Sequence, residues 1–388
     1  MQQRGILRYS EDLAPEIFAF QHEAYPAREP SLIEPRWRWM FLGSAARLGV
    51  EPMVWLYRSK DGVVAHQGAI AVELHTSAGT IVTGWFVETM VLEHVRGKTV
   101  GPMLVAKARE DLPVNLSLGQ TEQMRQLQYR LGWHSVAGMD SWLLVLKPRR
   151  AFRGRVRNVL LRVAVAGAAW AWQRSARGVR RAMSPRRRLT RRLIERFASE
   201  YDQLWARLRD QYRCAIVRDA SYLNWKYVEQ PGLQFRRLEL REDDQVRGVC
   251  VWTIHEPDAN HAYRRGWVVD CLVGHDDTAA VTALLEGVAV DAVREGVDVL
   301  EFDLLSDGLA QLLRRTGWLR RGRTRQLLVC VHGVADDIAA RMRSPRAWYL
   351  TRGDSDGDHP WWTAAGRRQD GQPFPPNDAA GGDTSVLR

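Results

Sequence analysis

Several features that would classify a protein at once are scarce in this chain of 388 residues. Its four cysteines lie far apart and form no Cys-x-x-Cys pair, so neither a zinc site nor a disulfide framework is indicated. The N-terminus lacks the apolar core of a secretory signal, and no apolar run reaches the roughly 20 residues that a membrane-spanning helix needs. The length exceeds what a single core normally holds. We therefore expect a cytoplasmic protein of two or three domains.

Acidic residues are absent between Asp140 and Glu195, where sixteen lysines and arginines occur. They more than account for the net charge of +11, because the rest of the chain is acidic overall. The pattern predicts a basic helical linker at residues 149–194, and it makes nucleic acid an unlikely partner. The apolar stretch 158–172 inside it is typical of a helix lying on an anionic membrane. A helical hairpin packed between domains is an equally good interpretation.

Two segments of the chain resemble each other and share their flanking landmarks. Residues 84–91, GWFVETMV, match residues 266–273, GWVVDCLV. Other landmarks recur at similar intervals around them, namely Trp39 and Trp225 upstream and Gly132-Trp133 and Gly317-Trp318 downstream. This order predicts two copies of one domain, at 1–148 and 195–358. Residues 359–388 are rich in glycine, proline and polar residues, so we expect disorder there.

The most informative local pattern is an apolar strand over residues 84–92 followed by a glycine-bearing loop and a helix. Gly97 and Gly101 bracket a turn whose backbone N–H groups can point at an anion, and the helix start adds the positive end of its dipole. Taken alone, such a loop is more often an ordinary strand-to-helix turn. A second apolar strand at 113–118, a helical stretch to Leu131 and a Gly-Trp dipeptide follow it.

The stretch from Met90 to Leu104 resembles motif A of the GNAT superfamily of acyl-CoA-dependent N-acyltransferases, an apolar strand followed by Arg/Gln-x-x-Gly-x-Gly/Ala. Residues 113–133 are similar to motif B of the same family. The resemblance implies that acetyl-CoA, or another acyl-CoA, lies in a splay between two parallel strands, with no metal required. The residues that it assigns to the cofactor are Met90, Val91, Leu92, Arg96, Gly97, Lys98, Thr99, Val100 and Gly101, with Thr99 replacing the first patterned glycine.

Glu88 is the candidate general base. Strand alternation places it on one face with Phe86 and Met90, where a carboxylate is expected to have a raised pKa and so to accept a proton from an ammonium group. The resemblance also implies a carboxylate base on this strand. Alternatively, Glu88 forms a structural pair with an arginine, since Asp270 holds the same register in the second copy.

Tyr129 is the candidate general acid. The resemblance implies a tyrosine shortly before the Gly-Trp dipeptide that protonates the departing thiolate of coenzyme A. Tyr129 lies three positions before Gly132, and Gln128 occupies the more usual position, so a packing role is the alternative. Isolated histidines such as His66 are interpreted as packing or surface residues.

The second copy departs from this pattern where a cofactor would bind. After Val273 its turn has no internal glycine and carries Asp276 and Asp277, which would repel a pyrophosphate. Asp277 followed by an apolar-periodic run to Val293 predicts an ordinary N-capped helix. We therefore assign cofactor binding to the first copy and a structural or substrate-shaping role to the second.

The sequence thus predicts an α/β protein of two tandem GNAT-like domains, each with a mixed, mostly antiparallel sheet flanked by helices. Over residues 5–358 it is similar to bacterial double-GNAT proteins linked to polysaccharide biosynthesis, which implies acylation of an amino sugar or a related amine. Two alternatives stay open. One is an aminoacyl-tRNA-dependent peptidyltransferase, and the other is a non-catalytic, membrane-associated scaffold with a lost cofactor site.

Overall fold

The computed structural model describes residues 4–97, 99–151, 167, 188–258 and 261–358. Four predictions therefore fall wholly or largely outside the described residues. These are the contact from Lys98, the basic helical linker at 149–194, the apolar stretch at 158–172 apart from Gly167, and the tail at 359–388. The described C-terminal end of the linker forms a strand, Leu189–Leu193, and not the predicted helix.

The described strands belong to one large mixed sheet. In chain order they are β1 Gly5–Arg8, β2 Val54–Ser59, β3 Gly62–Thr76, β4 Gly79–Val91, β5 Val114–Leu118, β6 His134–Val145, β7 Leu189–Leu193, β8 Cys214–Ile216, β9 Arg236–Glu242, β10 Gln245–His255, β11 Arg265–Val273, β12 Val299–Leu305, β13 Leu319–Val331 and β14 Trp348–Thr351.

Helices flank the sheet. In chain order they are α1 Ala14–Ala24, α2 Pro30–Trp37, α3 Ser44–Leu48, α4 Val100–Asp111, α5 Glu122–Arg130, α6 Pro148–Ala151, α7 Glu200–Leu208, α8 Ala220–Tyr227, α9 Thr278–Arg294, α10 Asp307–Arg315 and α11 Asp336–Met342. A π-helical segment, Arg38–Gly43, joins α2 to α3. None of the helices in the described ranges combines the length and the apolarity that crossing a bilayer requires.

One order of elements occurs twice along the chain. The series β2, β3, β4, α4, β5, α5, β6 in the N-terminal half corresponds to β9, β10, β11, α9, β12, α10, β13 in the C-terminal half. The repeated glycines have packing reasons. A Cβ at Gly84 would come 2.7 Å from Ala69 Cβ, and one at Gly266 would come 2.6 Å from Leu300 Cδ2. The predicted N-cap at Asp277 is confirmed, since its carboxylate accepts from the Ala280 amide at 3.0 Å.

The two halves exchange their last strands. β6 of the N-terminal half pairs with β12, and β13 of the C-terminal half pairs with β5, while β6 and β13 also pair with each other. The sheet order is therefore β1-β2-β3-β4-β5-β13-β6-β12-β11-β10-β9-β7. Most buried apolar residues of both halves form one hydrophobic cluster. The sequence predicted more than one core, and the exchange explains why the halves instead share a single large one.

Trp39 and Trp225 mark the local axis that relates the halves. Their rings stack with centroids 4.8 Å apart and planes 14° from parallel. The indole N–H of Trp39 donates to the carbonyl of Trp225 at 2.8 Å, and that of Trp225 donates to the carbonyl of Trp39 at 3.1 Å. This reciprocity is characteristic of a two-fold contact, in which each partner uses the same groups. Both tryptophans are buried, so this contact is part of the core.

We predict that Trp39→Phe and Trp225→Phe each destabilise the protein by about 1–2 kcal/mol more than Trp252→Phe. Each of the first two changes removes a hydrogen bond and leaves a buried carbonyl unpaired. Trp252 is a matched control, since it is fully buried and its indole N–H has no hydrogen-bond partner in the described part of the chain. Urea unfolding of the three variants measures the difference, and equal losses would contradict the reciprocal contact.

Candidate functional site

The candidate site lies where β4 and β5 separate. These strands run parallel and pair at Gly84 with Asn115 and at Trp85 with Leu116. Beyond Trp85, no described strand pairs with β4 on that side, while β5 continues in register with β13. The two parallel strands therefore open into a gap, as the resemblance implied.

A β-bulge in β4 sets the geometry of this gap. Val87 lies opposite Gly68 and Met90 lies opposite His66, so two β4 residues face one residue of β3. The prediction that Phe86, Glu88 and Met90 share one face is wrong, because the bulge reverses the alternation between residues 87 and 90. Glu88 adopts a left-handed φ of 53°, which costs a non-glycine residue about 1–2 kcal/mol.

Backbone direction beyond the bulge follows from strand alternation. The Leu92 amide donates to the carbonyl of Val64 on β3 at 3.0 Å. Since successive residues of a strand bond to opposite sides, the backbone N–H of Val91 faces the gap. The carbonyl of Val91 accepts from Arg96 Nε at 3.1 Å, which ties the loop after β4 to the strand.

His66 holds the bulge from the β3 side. Its Nε2 accepts from the indole N–H of Trp37 at 3.1 Å, so the ring proton is on Nδ1, which lies 2.9 Å from the carbonyl oxygen of Glu88 and donates to it. Burial lowers the pKa of His66, which keeps the ring neutral. The sequence interpretation of His66 as a packing residue missed this positioning role, because the bulge that it supports leaves no mark in the sequence.

The loop and helix after β4 expose backbone amides. Gly97 has a left-handed φ of 82°, and the side chain of Thr99, the N-cap of α4, makes no capping hydrogen bond. The first N–H groups of α4 therefore remain available to an anion. A Cβ at Gly101 would come 3.3 Å from Val91 Cγ2, so glycine allows the helix start to lie close to the end of β4. In the C-terminal half, Asp277 caps the corresponding helix with its own carboxylate.

The Glu88 carboxylate is nearly buried, and only one of its two oxygens has a partner among the described residues. Its side chain is 5% exposed, and Oε1 pairs with Arg28 Nη1 at 2.8 Å. Oε2 has no hydrogen-bond partner among the described residues. The predicted pair between Glu88 and an arginine is present. The second carboxylate oxygen is the one that a general base would use, and that role stays a prediction.

Asp270, the counterpart of Glu88, is fully bonded. It accepts from Arg218 Nε at 3.1 Å, from the Tyr227 hydroxyl at 2.9 Å, and from the Thr351 hydroxyl at 3.2 Å. Arg218 also donates to Asp354, whose pKa is raised to about 6 by burial. This carboxylate serves a structural network.

The gap of the C-terminal half is filled by the chain itself. β11 and β12 run parallel up to Val268 and Phe302 and then separate. There β14 pairs with β12 at Leu304 and Leu305, and the turn Arg352–Asp354 that follows packs on β11. A strand thus occupies the position that is open between β4 and β5.

The side chains of Tyr129 and Gln128 point to different sides of α5. Tyr129 is 39% exposed, whereas Gln128 is buried and donates to the Ser117 hydroxyl of β5 at 3.0 Å. The helix therefore turns Gln128 toward the gap-forming strand. A role for Tyr129 as an acid stays a prediction.

A buried arginine near Glu88 had no signal in the sequence. Arg36 is buried, and burial lowers its pKa to about 10 against the opposing effect of Asp358, Asp356 and Glu88. These residues come from α2, β4 and the turn at 355–358, which are distant in sequence. Only the strand exchange and the return of the chain after β14 bring them together.

Comparisons with solved structures identify the fold. A GCN5-related N-acetyltransferase from Anabaena variabilis superposes with a TM-score of 0.58 at 11% identity, covering 84% of this chain and 72% of that one. A probable N-acyltransferase of unknown function from Enterococcus faecalis gives 0.60 at 8% identity, covering 86% and 73%. The N-myristoyltransferase of Saccharomyces cerevisiae with bound myristoyl-CoA gives 0.51 at 10% identity, covering 84% and 83%.

These likenesses show that the chain has the fold of GCN5-related N-acetyltransferases, and the predicted mixed α/β class is confirmed. No protein-family model matches the sequence, and no significant relative was found among curated proteins.

The contrast between the two carboxylates leads to a stability prediction. Asp270→Asn should destabilise the protein by about 3–5 kcal/mol, because it leaves the buried Arg218 without its full counter-charge. Glu88→Gln should cost only about 1 kcal/mol, since its amide oxygen can still accept from Arg28. Guanidinium chloride unfolding checks both values, and a larger loss for Glu88→Gln would show that Glu88 is the structural residue.

Proposed function

We propose that the protein is an N-acyltransferase that moves an acyl group from acyl-CoA, with acetyl-CoA as the reference donor, to an amine. The observation that carries the proposal is the asymmetry of the two strand carboxylates. Among the described residues Glu88 Oε2 has no hydrogen-bond partner and lies beside an open gap, whereas Asp270 is fully bonded and its gap is filled. We infer that the chain contains two GNAT-like copies, at 1–148 and 195–358, and that the first carries the reaction.

The residues of the N-terminal half fit an acyl-CoA. The uncapped start of α4, with Gly97, Thr99, Val100 and Gly101, suits the pyrophosphate. The free edge of β4 at Met90, Val91 and Leu92 suits the amide-bearing pantetheine arm, which can pair with a strand edge. Arg96 ties this loop to β4 and adds positive charge, and Lys98 belongs to the same proposed site. The N-myristoyltransferase among the similar structures holds an acyl-CoA on the same fold.

The reaction can be written on this chain's groups. Glu88 Oε2 accepts a proton from the acceptor's ammonium, and the resulting amine attacks the thioester carbonyl carbon. As the C–N bond forms and the C–S bond breaks, the Val91 N–H that faces the gap stabilises the negative charge on the carbonyl oxygen. Tyr129 supplies a proton to the departing thiolate, and the second proton lost by the attacking nitrogen restores the Tyr129 hydroxyl. The products are an amide and free coenzyme A, with one proton released from Glu88 to solvent.

The acceptor class and cellular setting belong to the same proposal. We infer an amino sugar or related amine of envelope polysaccharide assembly, acylated in the cytoplasm. The basic linker at 149–194 supports peripheral contact with anionic lipid. The C-terminal half then shapes the site and binds no second cofactor.

Calorimetric titration with acetyl-CoA tests the cofactor site. We expect micromolar binding of one molecule per chain, because the second gap is filled. The double variant Gly97→Glu, Gly101→Glu should lose about tenfold or more in affinity, since its carboxylates face the pyrophosphate. The matched variant Gly97→Gln, Gly101→Gln has side chains of the same size without the charge and should bind more tightly.

Each other outcome of that titration is informative. Two molecules per chain would show that the second gap opens. No binding would favour the non-catalytic scaffold, and tight RNA binding in a parallel assay would favour the aminoacyl-tRNA-dependent transferase.

The turnover of two variants tests the proposed base and acid. Glu88→Gln should lower kcat by about 10²–10⁴-fold, because no carboxylate is left to accept the proton, while the affinity for acetyl-CoA stays unchanged. Tyr129→Phe should also lower kcat at unchanged acetyl-CoA affinity. A Glu88→Gln variant with an unaltered kcat would eliminate Glu88 as the base, and an unaltered kcat of Tyr129→Phe would point to solvent as the proton source.

A further inference from the structure

The turn at residues 355–358 connects the C-terminal half to the site in the N-terminal half. Lys226 Nζ donates to the Ser355 carbonyl at 2.7 Å and pairs with Asp358 at 3.1 Å. The Gln230 amide bridges onward in the orientation that satisfies its neighbours, which exchanges its oxygen and nitrogen. In that orientation its nitrogen donates to Asp358 Oδ2 at 3.1 Å, and its oxygen accepts from Arg36 at 2.8 Å. A row of buried polar groups therefore leads from Asp358 to Arg36. Glu88 is near enough to Arg36 for its negative charge to raise the pKa of that guanidinium.

Arg325 reaches the same place from β13. Its side chain packs on the end of β5, where a Cβ at Gly119 would come 3.1 Å from Arg325 Cγ. Its Nη2 donates to the Gly357 carbonyl at 2.9 Å. A side chain at position 357 would collide with Nη1 of Arg325, so two glycines make room for this guanidinium. The strand exchange is what places Arg325 beside a gap-forming strand of the other half.

Two buried polar atoms beside this turn have no partner among the described residues. Asp358 is fully buried, yet its Oδ1 lacks a hydrogen-bond partner within the described ranges, and so does Nη1 of Arg325. Burying such atoms unpaired is unfavourable. The carboxylate oxygen can only accept, and the guanidinium nitrogen can only donate. A hydroxyl group matches this pair, because it can donate to the first and accept from the second.

We propose that Asp358 and Arg325 form a subsite for a hydroxyl group of the acceptor, so that the acceptor is a hydroxylated amine. Its amino group lies at Glu88, and its hydroxyl-bearing part extends past Arg36 to the turn at 355–358. This inference rests on the proposed acyl transfer. It adds that the C-terminal half, whose own gap is filled, contributes acceptor specificity through its last turn.

The test compares two amines of similar ring size, D-glucosamine and cyclohexylamine, with acetyl-CoA as donor. The measured quantity is the ratio of kcat/KM for glucosamine to that for cyclohexylamine, which cancels the amines' intrinsic reactivities when variants are compared at one pH. Asp358→Asn and Arg325→Lys should each lower this ratio about tenfold, because the first replaces the charged acceptor by a neutral amide and the second removes the Nη1 donor that faces the hydroxyl. Asp337→Asn, an exposed acidic residue of α11, is the matched control and should leave the ratio unchanged.

Folding and binding controls separate the possible failures. Thermal unfolding and acetyl-CoA titration of each variant show whether the cofactor site is intact, and Asp358→Glu, which keeps the charge toward Lys226, should recover part of the ratio. An unchanged ratio in well-folded Asp358→Asn and Arg325→Lys would overturn the subsite. Absence of glucosamine acylation by protein that binds acetyl-CoA would also overturn it and leave the cofactor site standing, whereas loss of acetyl-CoA binding in the wild type would refute the proposed function itself.

Discussion

The exchange of β6 and β13 between the halves is the constraint on which the rest of the structure depends. Because each half completes its sheet with the other's last strand, the two halves share one hydrophobic cluster and neither can form its present sheet alone. The exchange places β13, with Arg325, next to the gap-forming strand β5. After β13 the chain returns over the C-terminal half, where it fills the second gap and ends beside the first.

The two halves differ in how they bond the carboxylate at corresponding positions, Asp270 and Glu88. Asp270 is bonded to an arginine, a tyrosine and a threonine, an arrangement that satisfies its charge in a buried setting. Glu88 is held in a strained backbone conformation by His66 and Arg28, and one of its oxygens is unpartnered within the part of the chain that is described. Strain and an incompletely bonded buried charge both cost stability, and they persist where function requires them. The N-terminal half is therefore where we place the chemistry.

We propose for the C-terminal half a task that does not need a second cofactor. Its last turn brings Asp358 to a buried cluster that also includes Arg36 and Lys226. A protein that binds one acyl-CoA can in this way use its second copy to recognise the acceptor. The similar solved structures establish the fold alone, since their identities to this chain are only 8–11%. The acceptor has to be argued from the side chains of this chain.

The sequence by itself determined the strand, loop and helix around Gly97 and Gly101, and the repetition of one order of elements in the two halves. Those signals are local: glycines at 84 and 266 that packing requires, an N-cap at Asp277, and an apolar strand that leads into a glycine-bearing turn. Only the tertiary structure decided the conformation at Glu88, where His66 bonds the backbone carbonyl and Arg28 pairs with the carboxylate, because no spacing in the sequence reveals these contacts. The tertiary structure likewise decided the strand exchange and the proximity of Arg325 to Asp358. Both depend on contacts between segments far apart in the chain, and a local sequence pattern does not show which distant segments will pack together.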